Sequence, residues 1–186
     1  MSNPLTETVR ALLVAEGLTP DTLPPTTFGV SNDDGVMTFE DEEVATLRMP
    51  VQGKKGEWIC LVRVFEQTER LLVYSMLPRT VPERQRERVA LMLTQINYGL
   101  VMGNFEMDLD DGEVRYKTSI DIEGIELTGV VLRNILFGNF FSMDLYYKAL
   151  MDALDGDRDP AALVYEAEHP DLNAHGLFDL VDDVVH

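Results

Sequence analysis

Across 186 residues the chain carries 33 acidic against 15 basic side chains, a formal charge of −18. With 45% hydrophobic residues it is long enough for one domain with an ordinary core plus a tail, and too short for two full domains. So acidic a surface repels nucleic-acid phosphates and anionic membranes and attracts basic polypeptide segments. No run approaches the roughly 18 apolar residues of a membrane span, and MSNPLTETVR has no basic segment followed by an apolar one. A cytoplasmic protein that binds neither nucleic acid nor membrane is expected.

The chain opens with a short amphipathic helix. Thr6 is placed to cap it, Glu7 favours its first turn, and Val9, Leu12, Leu13 and Leu18 recur at helical spacing before Pro20. From Asp21 to Asp41, Pro24-Pro25 and Asn32-Asp33-Asp34-Gly35 read as turns, with Phe28 to Val30 and Val36 to Phe39 as short strands. Three apolar runs follow, Val44 to Val51, Trp58 to Phe65 and Leu71 to Leu77, and read as an antiparallel meander. In the middle run Trp58, Cys60, Val62 and Val64 share one face and Ile59, Leu61, Arg63 and Phe65 the other, so helices are expected over at least one face. Pro82 suits the first turn of a second helix running to about Val101, with Val89, Leu93, Ile96 and Leu100 as its apolar stripe, extended by Met92.

The stretch NYGLVMGNFEMDLDDGEVRYKTSID, Asn97 to Asp121, joins that helix to a hairpin. Gly103 suits the left-handed residue that closes a helix. Phe105, Met107 and Leu109 alternate with Asn104, Glu106 and Asp108, Asp110-Asp111-Gly112 turns, and Val114, Tyr116, Thr118, Ile120 and Ile122 resume the two-residue period. Thr128 caps a long last helix from about Gly129 to Leu154, closed by Gly156, whose middle ILFGNFFSMDLYY is too apolar for a helix with one wet side. Asp155 to His186 holds nine acidic residues and one basic one, Arg158, and reads as a tail; Ala161 to Glu168 and Leu177 to Val185 are its short helical segments.

The expected fold is α+β: a twisted antiparallel sheet flanked by helices in the order α-β-β-β-α-β-β-α, with a domain over 1–156 and an acidic tail, partly disordered or with short helices, over 157–186. That order, with Asn97, Gly103-Asn104-Phe105-Glu106, Asp111-Gly112 and the final helix, resembles the bacterial YbjN-like family, whose fold is similar to the class I type III secretion chaperones. The resemblance runs from Val44 to Gly156 and, less closely, through the first helix. It implies a homodimer that binds extended polypeptide segments. The motifs that carry it are structural junctions, so they assign no activity.

The chemistry of the chain points the same way. All three histidines, His169, His175 and His186, fall in the tail, so a serine triad lacks its base. Cys60 reads as a small buried apolar residue. Asp155, Asp157, Asp159 and Glu166 match ligand positions of a calcium loop, but its required glycine is replaced by Pro160, which cannot take a positive φ. Neither a GxGxxG nor a Walker-type loop occurs. Phe137, Phe140, Phe141, Met143, Tyr146 and Tyr147 read as core in preference to a binding face, and Arg79, Arg84, Arg86 and Arg88 as a solvated helix start pairing with Glu83 and Glu87 or with the tail. No catalytic, cofactor-binding, metal or partner-binding residue is assigned. The reading is a non-enzymatic peptide- or protein-binding module, chaperone-like or regulatory, whose partner segment is basic. The alternatives are a regulatory interaction protein without a chaperoned client and a hydrolase with an unrecognised site.

Overall fold

The computed structural model describes residues 4–28 and 42–169. Its elements run α1 (Pro4–Ala15), β1 (Asp21–Phe28), β2 (Glu42–Gln52), β3 (Glu57–Phe65), β4 (Arg70–Met76), a 3-10 turn (Glu83–Gln85), α2 (Arg86–Gly99), β5 (Asn104–Met107), β6 (Val114–Asp121), α3 (Gly129–Asp155) and α4 (Pro160–Glu168). The six strands form one antiparallel sheet in the order β1-β2-β3-β4-β6-β5. The architecture is α+β, with the meander, the later hairpin and the long helix where the sequence places them.

One strand and one helix exceed the expected order. β1 takes the stretch read as turns: its register with β2 shifts between Leu23 and Thr26, so Pro24 and Pro25 sit at an irregularity on an edge strand, where a missing N–H breaks no ladder. Of the two short strands expected around Asn32 to Gly35, Phe28 ends β1 and the remainder lies outside the described residues. α4 occupies the first part of the segment read as a tail. Asp159 caps it by accepting from Ala161 N–H at 3.3 Å, Pro160 takes its first turn, and Leu163, Val164 and Ala167 are buried.

The sheet's period of two sorts its side chains. Trp58, Cys60, Val62 and Val64 of β3 share a face with Leu47, Met49 and Val51 of β2 and Leu71, Val73 and Ser75 of β4, and this face joins α1, α2, α3 and α4 in one core. α3 is pinned to it by a buried polar cluster. Asn139 donates to Val73 O at 3.0 Å, Tyr116 O at 3.2 Å and Thr118 Oγ1 at 3.2 Å, and accepts from Ser75 Oγ at 2.6 Å; Ser75 in turn accepts from Trp58 Nε1 at 2.8 Å. Phe140, Met143 and Tyr146 pack into this core, while Phe137 and Tyr147 lie partly buried at its margin.

Helix starts are completed by distant residues. Thr6 does not cap α1, because it lies inside the helix; the Glu66 carboxylate, from the turn after β3, accepts from Thr6 N–H at 2.7 Å, Thr6 Oγ1 at 2.6 Å and Leu5 N–H at 3.2 Å. A carboxylate there meets the unpaired amides and the positive end of the helix dipole. Thr128 does cap α3, accepting from Val131 N–H at 3.3 Å.

The α2-to-hairpin joint differs in detail from its expectation. α2 ends at Gly99, with Leu100 already extended, so Gly103 does not close the helix. Gly103 instead opens β5 at φ +70°, where a Cβ would approach the Lys117 carbonyl oxygen and Tyr116 Oη closer than 3.0 Å. The Tyr116 hydroxyl donates to Met102 O, so the turn and β6 are clamped at this point. Asn97, at the end of α2, pairs with the free edge of β5: its Oδ1 accepts from Phe105 N–H at 2.8 Å and its Nδ2 donates to Phe105 O at 3.0 Å.

On the opposite face of the same hairpin, Glu106 accepts from Arg115 Nε at 3.0 Å, from Asn104 Nδ2 at 3.3 Å and from Lys117 Nζ. Burial pushes its pKa up, but these hydrogen bonds outweigh burial and hold the carboxyl below its ordinary value.

Two outcomes follow from this joint. Gly103→Val destabilises the protein by about 1 kcal/mol or more, through the positive φ and the occupied Cβ position, and lowers the urea midpoint; an unchanged midpoint contradicts the conformation at Gly103. Because the folded pKa of Glu106 lies below the ordinary 4.5, its contribution is present above that value and is lost as pH falls through the folded pKa. Glu106→Gln therefore lowers the midpoint at neutral pH and loses less on acidification from about pH 6 to about pH 3 than the parent does. Parallel curves for the two proteins would contradict the role given to Glu106.

Candidate binding surface

α2 divides its side chains between core and solvent. Val89, Met92, Leu93 and Ile96 are buried, as the apolar stripe requires. Leu93 and Phe140 are core residues at 4% and 1% exposure, so a charged replacement at either reports folding and not a dimer interface. The outward side carries a second apolar series. Leu91 is 66% exposed, Tyr98 two turns later 96%, and Val101 and Met102 in the following turn 98% and 48%. Beside Leu91 a groove of about 470 Å³ runs between α2 and α4, with Leu91, Met92 and Gln95 on one wall and Pro160 and Ala161 on the other.

The arginines at the head of α2 mostly serve the fold. Arg79 makes a bidentate pair with Asp155, both bonds 2.6 Å, and its hydrogen bonds hold the Asp155 carboxyl below its usual range. Arg88 donates to the Gly156 carbonyl at 2.5 Å and to Gln85 Oε1 at 3.3 Å. Arg86 donates to Leu109 O at 2.9 Å and Asp110 O at 3.2 Å, in the β5–β6 turn. Arg79 and Arg88 thus place positive charge at the negative end of α3; of the two expected pairings, they take the one with the segment beginning at Asp155 and not the one with Glu83 and Glu87.

The second surface is the sheet face away from the helices, which carries no helix among the described residues. Register brings Arg48, Leu61, Tyr74 and Lys117 into one row and Pro50, Ile59, Met76 and Arg115 into the next. Ile59, Leu61, Leu72 and Met76 are half-buried, Arg48 and Pro50 are exposed, and the Arg115 guanidinium lies 4.4 Å above the centre of the Tyr74 ring. Pro50, Ile59, Met76 and Pro78 line an apolar depression of about 480 Å³ at the end of this face nearest the β2–β3 turn.

Of the remaining sequence candidates, Asp159 borders the α2–α4 groove, beside Pro160. Cys60 is fully buried and its thiol is pushed far up by desolvation. His169 stacks on Tyr165 with ring centres 4.0 Å apart, and the other two histidines lie outside the described residues. Within the calcium-loop pattern Asp155 binds Arg79, Asp159 caps α4 and Glu166 binds Arg158. Among the described residues no group of three or more His, Cys, Asp or Glu side chains is arranged to hold a metal ion. Asp144, buried between α3 and the β2–β3 turn, accepts from Lys55 N–H at 2.8 Å; desolvation raises its pKa despite that bond and the charges of Lys54 and Lys55.

Sequence reasoning missed the α2 outer series and the mixed apolar and charged rows of the sheet's open face. The first had a local signal, since Leu91 and Tyr98 stand seven residues apart and off the inward stripe. The second needs strand register, which places residues of four strands side by side.

No curated protein matches the sequence. Among solved structures, the chain is similar to one in the crystal structure of the ExsC–ExsE complex, with 14% sequence identity and a TM-score of 0.39, covering 80% of this chain and 97% of that one. The YbjN family model, described as putative bacterial sensory transduction regulator, matches residues 6–136, which include most of α1, the whole sheet and the start of α3. The chain belongs to the YbjN family.

Proposed function

We propose that this protein is a non-enzymatic, cytoplasmic protein-binding module, chaperone-like or regulatory, that acts as a homodimer and recognises a polypeptide segment of a partner. The observation that carries this reading is the exposed apolar series Leu91, Tyr98, Val101 and Met102. Side chains of that size held 48–98% exposed on α2 and the turn that follows it are costly to hydrate unless another surface covers them. A second copy meeting this side about a two-fold axis covers both series at once, because an isologous contact uses the same patch twice. The groove between α2 and α4 remains beside the contact and takes the partner segment. A charge of −18 steers a basic segment toward it and keeps the apolar surface soluble. The acidic tail over 157–186 modulates that encounter, while the body supplies the apolar contacts.

Light scattering tests the dimer. The parent is expected at twice 21.0 kDa, and Leu91→Asp and Tyr98→Asp at 21.0 kDa with an unchanged far-ultraviolet spectrum. A parent that stays at 21.0 kDa at about 100 μM, far above the ~1 μM dissociation constants of ordinary specific dimers, rules the dimer out. The partner is sought by pull-down from the native cell with the full chain and with the chain ending at His169, a cut that spares α4. Recovery by both forms, with steeper salt sensitivity for the full chain, is the expected result; loss of all binding with the shorter chain would make the tail the principal site.

A further inference from the structure

We infer that α4 is a displaceable cover over a helix-sized cleft between α2 and α3, and that the partner segment enters as a basic amphipathic helix that takes the place of α4. The inference rests on the reading of the α2–α4 groove as the seat of the partner segment, and adds what forms there and what leaves. At nine residues α4 is shorter than a helix that holds itself together in water, so its shape is owed to the cleft in which it lies. It packs more extensively on α2 and on α3 than those two helices pack on each other. Its fit is loose. It buries only the modest side chains Leu163, Val164 and Ala167. Two hollows flank it: the groove of about 470 Å³ along α2 and, on the α3 side, a depression of about 250 Å³ lined by Lys55, Leu145, Ala149, Leu163 and Ala167. A helix with larger apolar side chains on its inward side gains burial that α4 forgoes. On the α2 wall, Arg88 Nη2 is buried without a partner, a donor that the present arrangement leaves unused.

The polar ties of α4 are largely its own. Arg79 and Arg88 hold Asp155 and Gly156, which anchors the chain as far as the end of α3. Beyond that point Asp159 caps α4 itself, and His169 stacks on Tyr165 of the same helix. The links to α3 are Tyr146 Oη, which donates to Glu168 at 2.8 Å, and Arg158, which bridges Glu166 and, at 3.6 Å, Asp152. The Arg158 side chain is 48% exposed, so its pairs contribute little. Release of α4 adds Met92 and Ala149, now buried, to the surface that an incoming helix meets. The tethered α4 competes at an effective concentration of order millimolar, so a segment that fits no better than α4 is turned away. The formal charge of −18 draws in a helix whose outward side is basic.

Two measurements on the full chain test this. Amide hydrogen exchange with no partner present is expected to run about 100-fold faster at Leu163, Val164 and Ala167 than at Leu150 and Ala153 of α3, because α4 opens alone. The binding probe is a peptide of about 14 residues with leucines recurring at helical spacing and lysines and alanines elsewhere. It is expected to shift the amide resonances of Met92 and Ala149 and to abolish the protection at Val164, while a peptide of the same composition in scrambled order does neither. Leu163→Asp, which loosens α4, is expected to tighten peptide binding about tenfold by removing the competitor. Tyr146→Phe keeps the ring and removes the bond to Glu168; it moves the affinity the same way and supplies the reading should Leu163→Asp fail to fold. Exchange in α4 as slow as in α3, peptide shifts at Tyr98 and Val101 alone, equal affinity in the parent and the folded variant, or an equal effect of the scrambled peptide overturns the inference. These measurements need neither the dimer nor the native partner, so they and the light-scattering and pull-down results can fail separately.

Discussion

Asn139 is the fixed point about which the helical layer and the sheet are set. Its amide carries polar atoms into a region with no water to receive them, and each orphaned donor or acceptor there costs about 1–3 kcal/mol. The sheet supplies partners from two neighbouring strands, Val73 and Ser75 of β4 and Tyr116 and Thr118 of β6, and Ser75 also takes the indole N–H of Trp58 on β3. Sliding α3 by one turn, about 5.4 Å, or rotating it by one position separates these groups by several ångströms and leaves them unpaired. The apolar contacts around them, Phe140 and Met143 among them, supply most of the burial but little direction. The polar cluster therefore selects one arrangement among the many that would bury the same area.

Much of this fold is legible in order. The meander, the hairpin after Gly103, the inward stripe of α2 and the long α3 each follow from a periodicity within one segment. What was not legible depends on residues distant in sequence. Pro24-Pro25 reads as a turn until β1 is known to lie on an edge, where proline loses nothing. The Glu66 carboxylate caps a helix some sixty residues away. Arg79 and Arg88 find their partners at Asp155 and Gly156. Asn97 and Gly103, by contrast, stand out locally as junction residues; in the fold Asn97 pairs with a backbone edge, and Gly103 fits where a side chain cannot. The binding surfaces divide in the same way, the α2 series being local and the open sheet face a product of register.

The charge of the molecule also acquires a structural reading. Arg70, Arg79, Arg88, Arg115, Lys117 and Arg133 are engaged with carboxylates or carbonyl oxygens that join one element to another. The few cations are concentrated at joints, while the excess of acid remains at the periphery. Ion pairs this exposed each contribute little. Their placement still ties the elements of a strongly negative chain to one another.

Both margins of the sheet are closed to further strands. At one, Pro24 and Pro25 interrupt the row of donors along β1; at the other, β5 is four residues long and Asn97 already holds both backbone groups of Phe105. Among the described residues these features work against side-by-side addition of another strand, the route by which exposed sheet edges seed fibrils. Contacts of this molecule with others are thereby directed away from its sheet margins and onto its faces, where the exposed apolar side chains lie.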